Sequence, residues 1–268
     1  MDITKAFLTN HAAKQFVALR ALARHAHETR VDDSFVVRSC FVVEVEGTWF
    51  LLTAAHVLDG IREALGQGVE FSGWALHDEA AGHSFSGGVP IHFDANDWLT
   101  IRVDSRGLDY AATVLPVNVA AQLEAGGVQP ICEDAWGYVP PMECDAWLVV
   151  GMPTESLETV GSKTSGRLAV IPLDKTEAPT GEESKAENMF FGRLRSQPGL
   201  DGASVQNVDG MSGGPVYGVK NVNGVPKYWV IGIQSGWFSV SRIVCFCLLA
   251  GLLLELKRIV NEVHNIQN

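Results

Sequence analysis

Short apolar runs broken by glycine and proline dominate this chain from Phe35 onward, and they restrict it to strands joined by turns. Phe35–Val45 is followed by Glu46-Gly47 and then by Trp49–Thr53. Glu44, Glu46 and Thr48 alternate with Val43 and Val45, the period-two signature of a half-exposed hairpin. Strand-like segments continue to about Pro116. The 27 glycines and 11 prolines supply turn residues for many short strands. With 268 residues, 47% of them hydrophobic, the chain can bury one large core or two moderate ones.

The two ends read differently. Residues 3–27 carry Phe7, Leu8, Phe16, Val17, Leu19 and Leu22 among Ala, Lys, Gln and Arg. That helical composition predicts one or two helices docked outside the strands. The longest apolar run, Ile243–Leu254, is twelve residues, well short of the ~20 needed to span a bilayer as a helix. It predicts a buried strand passing into a C-terminal helix that continues through Val263. Asp174–Glu187 is charged, contains Pro179 and Gly181, and predicts a surface loop.

Composition removes several classes of function. A formal charge of −11 would repel nucleic acid and anionic membranes. The five cysteines, Cys40, Cys132, Cys144, Cys245 and Cys247, are an odd number. On a strand, Cys245 and Cys247 would point to one face and could not bridge each other. The first residues, Met1-Asp2-Ile3-Thr4-Lys5, lack the charged-then-apolar pattern of a secretory signal. Reduced thiols and a cytoplasmic location are the expectation. His25 and His27 would lie on different faces of a helix, and His77, His83 and His92 have no Cys or Glu at ligand spacing, so no metal is expected. No glycine loop precedes a helix in the way a phosphate cradle requires, so no nucleotide or other cofactor is expected.

The stretch that carries chemistry is Gly210-Met211-Ser212-Gly213-Gly214-Pro215. A serine hydroxyl becomes a useful nucleophile only with a base beside it and donors aimed at the developing oxyanion. Gly210 lets the chain turn so that the N–H groups of Gly210 and Ser212 converge, and Gly213 and Gly214 keep Cβ atoms out of the space a substrate would need. Gly-Ser-Gly-Gly also occurs in linkers and tight turns, so the rest of the chain has to decide. Two further segments fall in the order the chemistry needs. Thr53-Ala54-Ala55-His56 ends an apolar run on a small-residue turn, and Gly107-Leu108-Asp109 precedes another apolar run, Tyr110–Leu115.

Together these segments resemble the chymotrypsin/trypsin superfamily of serine peptidases, in particular its bacterial trypsin-like domains. The order His, Asp, Ser is the one that superfamily uses. Asp145–Pro153 is similar to the first strand of its second barrel, and Gly232-Ile233-Gln234-Ser235-Gly236 to the strand that runs past bound substrate; the likeness covers roughly residues 31–250. The resemblance implies an all-β fold of two packed six-stranded antiparallel barrels. The first would occupy residues 31–116 and carry His56 and Asp109; the second, 146–249, would carry Ser212. A connector at 117–145, an N-terminal helical extension at 1–30 and a C-terminal helix at 250–268 complete the division.

The resemblance further implies a serine endopeptidase with a peptide or protein substrate. Ser212 would be the nucleophile, His56 the general base, Asp109 its orienting partner, and the Gly210 and Ser212 N–H groups the oxyanion hole. Asp97 and Asp104 rival Asp109; Ala111-Ala112 and Leu115-Pro116 match the family segment better and favour Asp109. Gln206 would sit at the pocket floor, where a neutral residue argues against a strict Lys or Arg preference, with Ser235, Gly236 and Trp237 along the substrate. Trp237 would narrow the pocket entrance. Met211 replaces the aspartate that, in the digestive members, pairs with a newly cut N-terminus, so activation by that route is not expected. The alternative is a catalytically silent trypsin fold used for peptide binding or as a scaffold.

Overall fold

The computed structural model describes residues 11–25, 34–77, 88–136, 139–160, 163–182, 187–195, 205 and 207–267. Seven strands build the N-terminal unit: β1 (Phe16–His25), β2 (Ser34–Val45), β3 (Thr48–Thr53), β4 (Val69–His77), β5 (Val89–Pro90), β6 (Leu99–Val103) and β7 (Leu108–Val114). They form one antiparallel sheet in the order β5-β4-β1-β2-β3-β7-β6. The predicted hairpin is there: Val45 pairs with Thr48, and Glu46 and Gly47 both take positive φ, 49° and 77°, as a two-residue turn of matching twist requires.

The central strands β1, β2 and β3 are buried on both faces, which explains their near-continuous apolar runs. One face, with Val17, Leu19, Cys40, Val42, Leu51 and Ala111, closes over Leu58 and Ile61 of helix α1 (Ala55–Gly66) and Val119 and Leu123 of helix α2 (Val117–Ala125). The opposite face, with Phe16, Ala18, Phe41, Val43, Leu52 and Ala112, belongs to the core shared with the rest of the molecule.

One expectation needs correction here. The N-terminal helical extension fails at Phe16–His25, which is a strand; among the described residues only Ala13–Gln15 precedes it as an α-helical turn. β1 pairs with β2 on one side, Phe16 opposite Phe41, and with β4 on the other, Ala18 opposite His77. Its Ala, Leu and Arg residues favour helix locally, but a central strand buries two rows of side chains and satisfies its backbone on both edges. The expected fold class holds: the chain is mostly β, with this antiparallel sheet, of seven strands with β5 and β6 at its edges among the described residues, and a closed barrel.

The second unit is a closed six-stranded antiparallel barrel. Its strands are β8 (Ala146–Gly151), β11 (Ala169–Thr176), β12 (Met189–Leu194), β13 (Pro215–Val222), β14 (Val225–Phe238) and β15 (Ile243–Leu248), closed in the order β11-β12-β15-β14-β13-β8. A small ribbon, β9 (Glu158–Val160) with β10 (Lys163–Ser165), lies outside it. Trp147, Val149, Ile171, Leu173, Val216, Ile231, Val244 and Phe246 fill the interior. Trp147 meets Phe246 edge-on at 5.1 Å and donates its Nε1–H to Pro141 O at 2.9 Å, so the indole is both packed and satisfied.

Helix α3 (Ala250–Gln267) follows β15 directly, as expected. Leu252, Leu253, Leu256 and Val260 join the cluster that contains Phe41, Val43 and Val45, so the last helix packs back on the first sheet. Lys257 adds surface ion pairs to Glu46 at 3.1 Å and Glu133 at 2.7 Å. Among the described residues no helix is long and apolar enough to cross a membrane. No disulfide joins any of the five cysteines.

Candidate active site

The seam between the two units holds the chemistry-bearing residues. β3 ends at Thr53, and α1 starts two residues later with no side-chain cap of its own. Ala54 and Ala55 are fully buried, which is why the corner is built from small residues. β3 and β7 pair with Thr53 opposite Ala111, and antiparallel continuation carries Asp109 alongside Ala55 and His56. The Asp109 carboxylate then does two things. Oδ1 accepts the His56 backbone N–H at 2.9 Å, capping the first turn of α1, and Oδ2 meets the ring Nδ1 at 2.6 Å.

One carboxylate thus fixes both the backbone and the ring of the histidine. The Asp109 side chain is 10% exposed and that of His56 32%, so the ring is held from inside and open to the cleft on its other edge. With the proton on Nδ1 facing the carboxylate, Nε2 carries the free lone pair. The rivals lie elsewhere. Asp97 ends a 3-10 turn in which its N–H bonds Asp94 O, and Asp104 holds Arg102 at 2.9 Å. Arg102 also reaches Asp59 on α1 at 2.7 Å. Behind Asp109, Cys247 Sγ donates to Gly107 O at 3.0 Å and lies 3.4 Å from Ser235 Oγ. Burial pushes the Cys247 thiol up to about 12, so it stays protonated there.

The loop from Val208 to Gly214 is held by the buried side chains of Val208 and Met211. Met211 N–H donates to Val208 O, Gly213 N–H to Gln234 O at 2.8 Å and Gly214 N–H to Met211 O. Among the described residues the N–H groups of Gly210 and Ser212 have no acceptor. Gly210 sits at φ +89° and Gly213 at φ +88°, conformations that L side chains resist. Two donors on alternate residues, beside a serine, are therefore left unmatched where the chain turns. Among the described residues the His56 ring bonds only to Asp109, and Ser212 Oγ and His56 Nε2 are not hydrogen-bonded to each other. Such contacts are often looser without substrate.

The glycines do a different job from the one expected. A Cβ on Gly213 would overlap Thr53 Oγ1 and come within 2.6 Å of Ser39 O, and a Cβ on Gly214 would overlap Val150 O. Gly214 lets the loop lie against β8 of its own barrel, and Gly213 clears room for the two sheets to touch. That contact brings Ser212 beside the Thr53-Ala54 corner, just before His56. Ser39, on β2, completes it: its Oγ donates to Gly210 O at 2.8 Å and accepts Met152 N–H at 3.0 Å, while Thr53 Oγ1 donates to Ser39 O at 3.0 Å. Met211 packs in the barrel core, so apolar burial fixes the loop.

Of the remaining expected site residues, Gln206 lies outside the described residues. Ser235 turns toward Cys247, and a Cβ on Gly236 would come within 2.6 Å of Cys245 Sγ. Trp237 packs against the second-barrel core with Val208, Met211, Val244 and Phe246. Sequence reasoning missed Ser39, Cys247 and Gln234. The available signal was a polar residue inside an otherwise buried strand, as in Val36-Val37-Arg38-Ser39-Cys40-Phe41 and Gly232-Ile233-Gln234. Among the described residues no three His, Cys, Asp or Glu side chains cluster as metal ligands do.

No family model and no curated protein sequence matches the chain. Among solved structures it is similar to the protease Anisep from Arthrobacter nicotinovorans, at 14% identity over 88% of this chain and 90% of that one, with a TM-score of 0.42. It is also similar to the thermostable serine protease AL20 of an extremophilic microorganism, at 15% identity over 88% and 91%, TM-score 0.41. The serine protease domain of the Sesbania mosaic virus polyprotein matches at 14% identity over 88% and 90%, TM-score 0.42.

Proposed function

We propose that this chain is a serine endopeptidase, with Ser212 as nucleophile, His56 as general base and Asp109 as the group that orients it. The observation that carries the reading is the double hold of Asp109 on His56, at 2.9 and 2.6 Å, beside a turn that leaves the Gly210 and Ser212 N–H groups without acceptors. The His56 Nε2 lone pair takes the Ser212 proton as Oγ attacks the peptide carbonyl carbon. The carbonyl oxygen becomes an oxyanion between the two unmatched N–H donors. His56 then delivers the proton to the leaving amine, and water releases the acyl group by the same steps in reverse.

Because Met211 anchors the loop by burial, the site needs no cleavage elsewhere to assemble. Five cysteines without a disulfide suit a reducing compartment such as the cytoplasm. A purely peptide-binding fold would have no use for two unmatched donors flanking a serine. Incubation with a fluorophosphonate probe and mass spectrometry of the labelled peptide tests the reading. Label on Ser212, lost in Ser212→Ala and His56→Ala, is the expected result; no label, or label on another serine, would refute it.

A further inference from the structure

Two polar atoms beneath the nucleophile loop lack partners. Gln234 is completely buried, its Nε2 donates to Gly236 O at 3.2 Å, and its Oε1 meets no donor among the described residues. That bond to a carbonyl fixes which end of the amide is which, so the unmatched atom is an acceptor. Three residues on, Trp237 Nε1 is also buried and meets no acceptor among the described residues. The odd spacing would place the two side chains on opposite faces of a regular strand. β14 instead shifts register between Gln234 and Gly236, so that Gln234 pairs with Phe246 and Trp237 with Val244. Phe246 and Val244 are alternate residues of β15 and share one face. Both Gln234 and Trp237 therefore lie on the side that packs toward Val208 and Met211, the apolar anchors of the Ser212 loop. The main chain of Gln234 is bonded to that loop as well, to Gly213 N–H at 2.8 Å and Gly214 O at 2.9 Å.

We propose that Gln234 Oε1 and Trp237 Nε1–H are the polar groups of the pocket that receives the residue on the acyl side of the cleaved bond. The side chain they select is a primary carboxamide, glutamine or asparagine. This rests on the reading of Ser212 as nucleophile. An indole N–H can only donate and the free amide oxygen can only accept. A carboxamide offers one carbonyl acceptor and one NH₂ donor in a single plane, so one side chain satisfies both. A carboxylate sets lone pairs against Oε1. A lysine or arginine leaves the indole N–H facing a cation, and an aliphatic side chain leaves both groups unmatched, the case that buried polar sites reject most strongly.

The test uses the full chain in two arms. The fluorophosphonate arm reports the nucleophile whatever the pocket prefers. The second arm measures kcat/KM on otherwise identical peptides with Gln, Asn, Glu, Met, Leu or Arg before the scissile bond. Gln or Asn is expected to exceed Met and Glu by about 100-fold or more. Trp237→Phe keeps the ring and removes the donor, and should lower the Gln-to-Met ratio about tenfold or more. Gln234→Met removes the acceptor, should collapse the same ratio, and is expected to fold because it replaces a buried unmatched group with an apolar one of similar length. Labelling at Ser212 with a flat profile, or with a preference for Arg, Leu or Glu, overturns the pocket assignment and leaves the nucleophile standing. A chain that neither labels nor cleaves overturns the Ser212 reading, and the pocket assignment falls with it.

Discussion

Replacing Asp109 with asparagine separates the two jobs its carboxylate performs. Oδ1 caps α1 through the His56 backbone N–H at 2.9 Å, and an asparagine carbonyl accepts that bond equally well. Capping by Asn and Asp is about equivalent, so the stability change should stay within about 1 kcal/mol. The second job fails. An amide NH₂ facing His56 Nδ1, where Oδ2 now lies at 2.6 Å, forces the ring proton to Nε2 and leaves the base with no lone pair toward Ser212. The imidazolium that forms on proton transfer also loses its anionic partner. Together these effects should lower kcat about ten-thousand-fold, or about 5.4 kcal/mol in activation free energy. Turnover of a peptide substrate, a urea melt and ¹⁵N NMR of the ring tautomer measure the three parts. Activity within tenfold of wild type, or an equal loss in Asp97→Asn, would show that the aspartate–histidine argument is wrong.

Ser212→Ala and His56→Ala should each cost about 10⁴- to 10⁶-fold in peptide hydrolysis, because such residues act as a unit; comparable cleavage by both variants and wild type would end the peptidase reading. In native protein Cys132, the exposed cysteine, should react with a thiol reagent first, since Cys40 and Cys247 are buried with thiols pushed up to about 12. In denaturant all five should react, and a mass deficit matching a disulfide would contradict the free-thiol assignment. Burial, with Arg20 nearby, lowers His77 to about 4 from its ordinary 6.5. The unfolded chain thus binds more protons between those values, and His77 stabilises the fold above pH 6.5 by as much as about 3 kcal/mol, lost as pH falls toward 4. His77→Phe should flatten the urea midpoint between pH 7.5 and 5 relative to wild type; an unchanged slope would show that His77 is not the group responsible.

The parts of this molecule that could be read from sequence are those decided within a few residues. Val43, Val45 and Glu46-Gly47 specify their hairpin locally, and Ile243–Leu254 announces a strand running into a helix. His56, Asp109 and Ser212 stood out because each sits in a short segment with its own turn chemistry. β1 was misread because Ala, Leu and Arg prefer helix until a neighbour on each edge makes a strand the better burial. The small edge strand Val89–Pro90 has almost no sequence of its own to signal it. Ser39 escaped notice because its meaning depends on Gly210, 171 positions away. For the same reason Gly213 looked like room for substrate, when the atoms it avoids belong to Thr53 and Ser39.

The docking of α3 on the first sheet has a consequence for how the chain comes off the ribosome. Phe41, Val43 and Val45 are made early, yet the Leu252, Leu253, Leu256 and Val260 side chains that cover them arrive more than two hundred residues later. Until then the nascent first sheet carries a bare apolar face, a surface on which chaperones act and to which neighbouring chains stick. The same delay separates His56 and Asp109 from Ser212. On the proposed reading, a half-made chain would hold a base and its partner with nothing to activate until the second barrel closes.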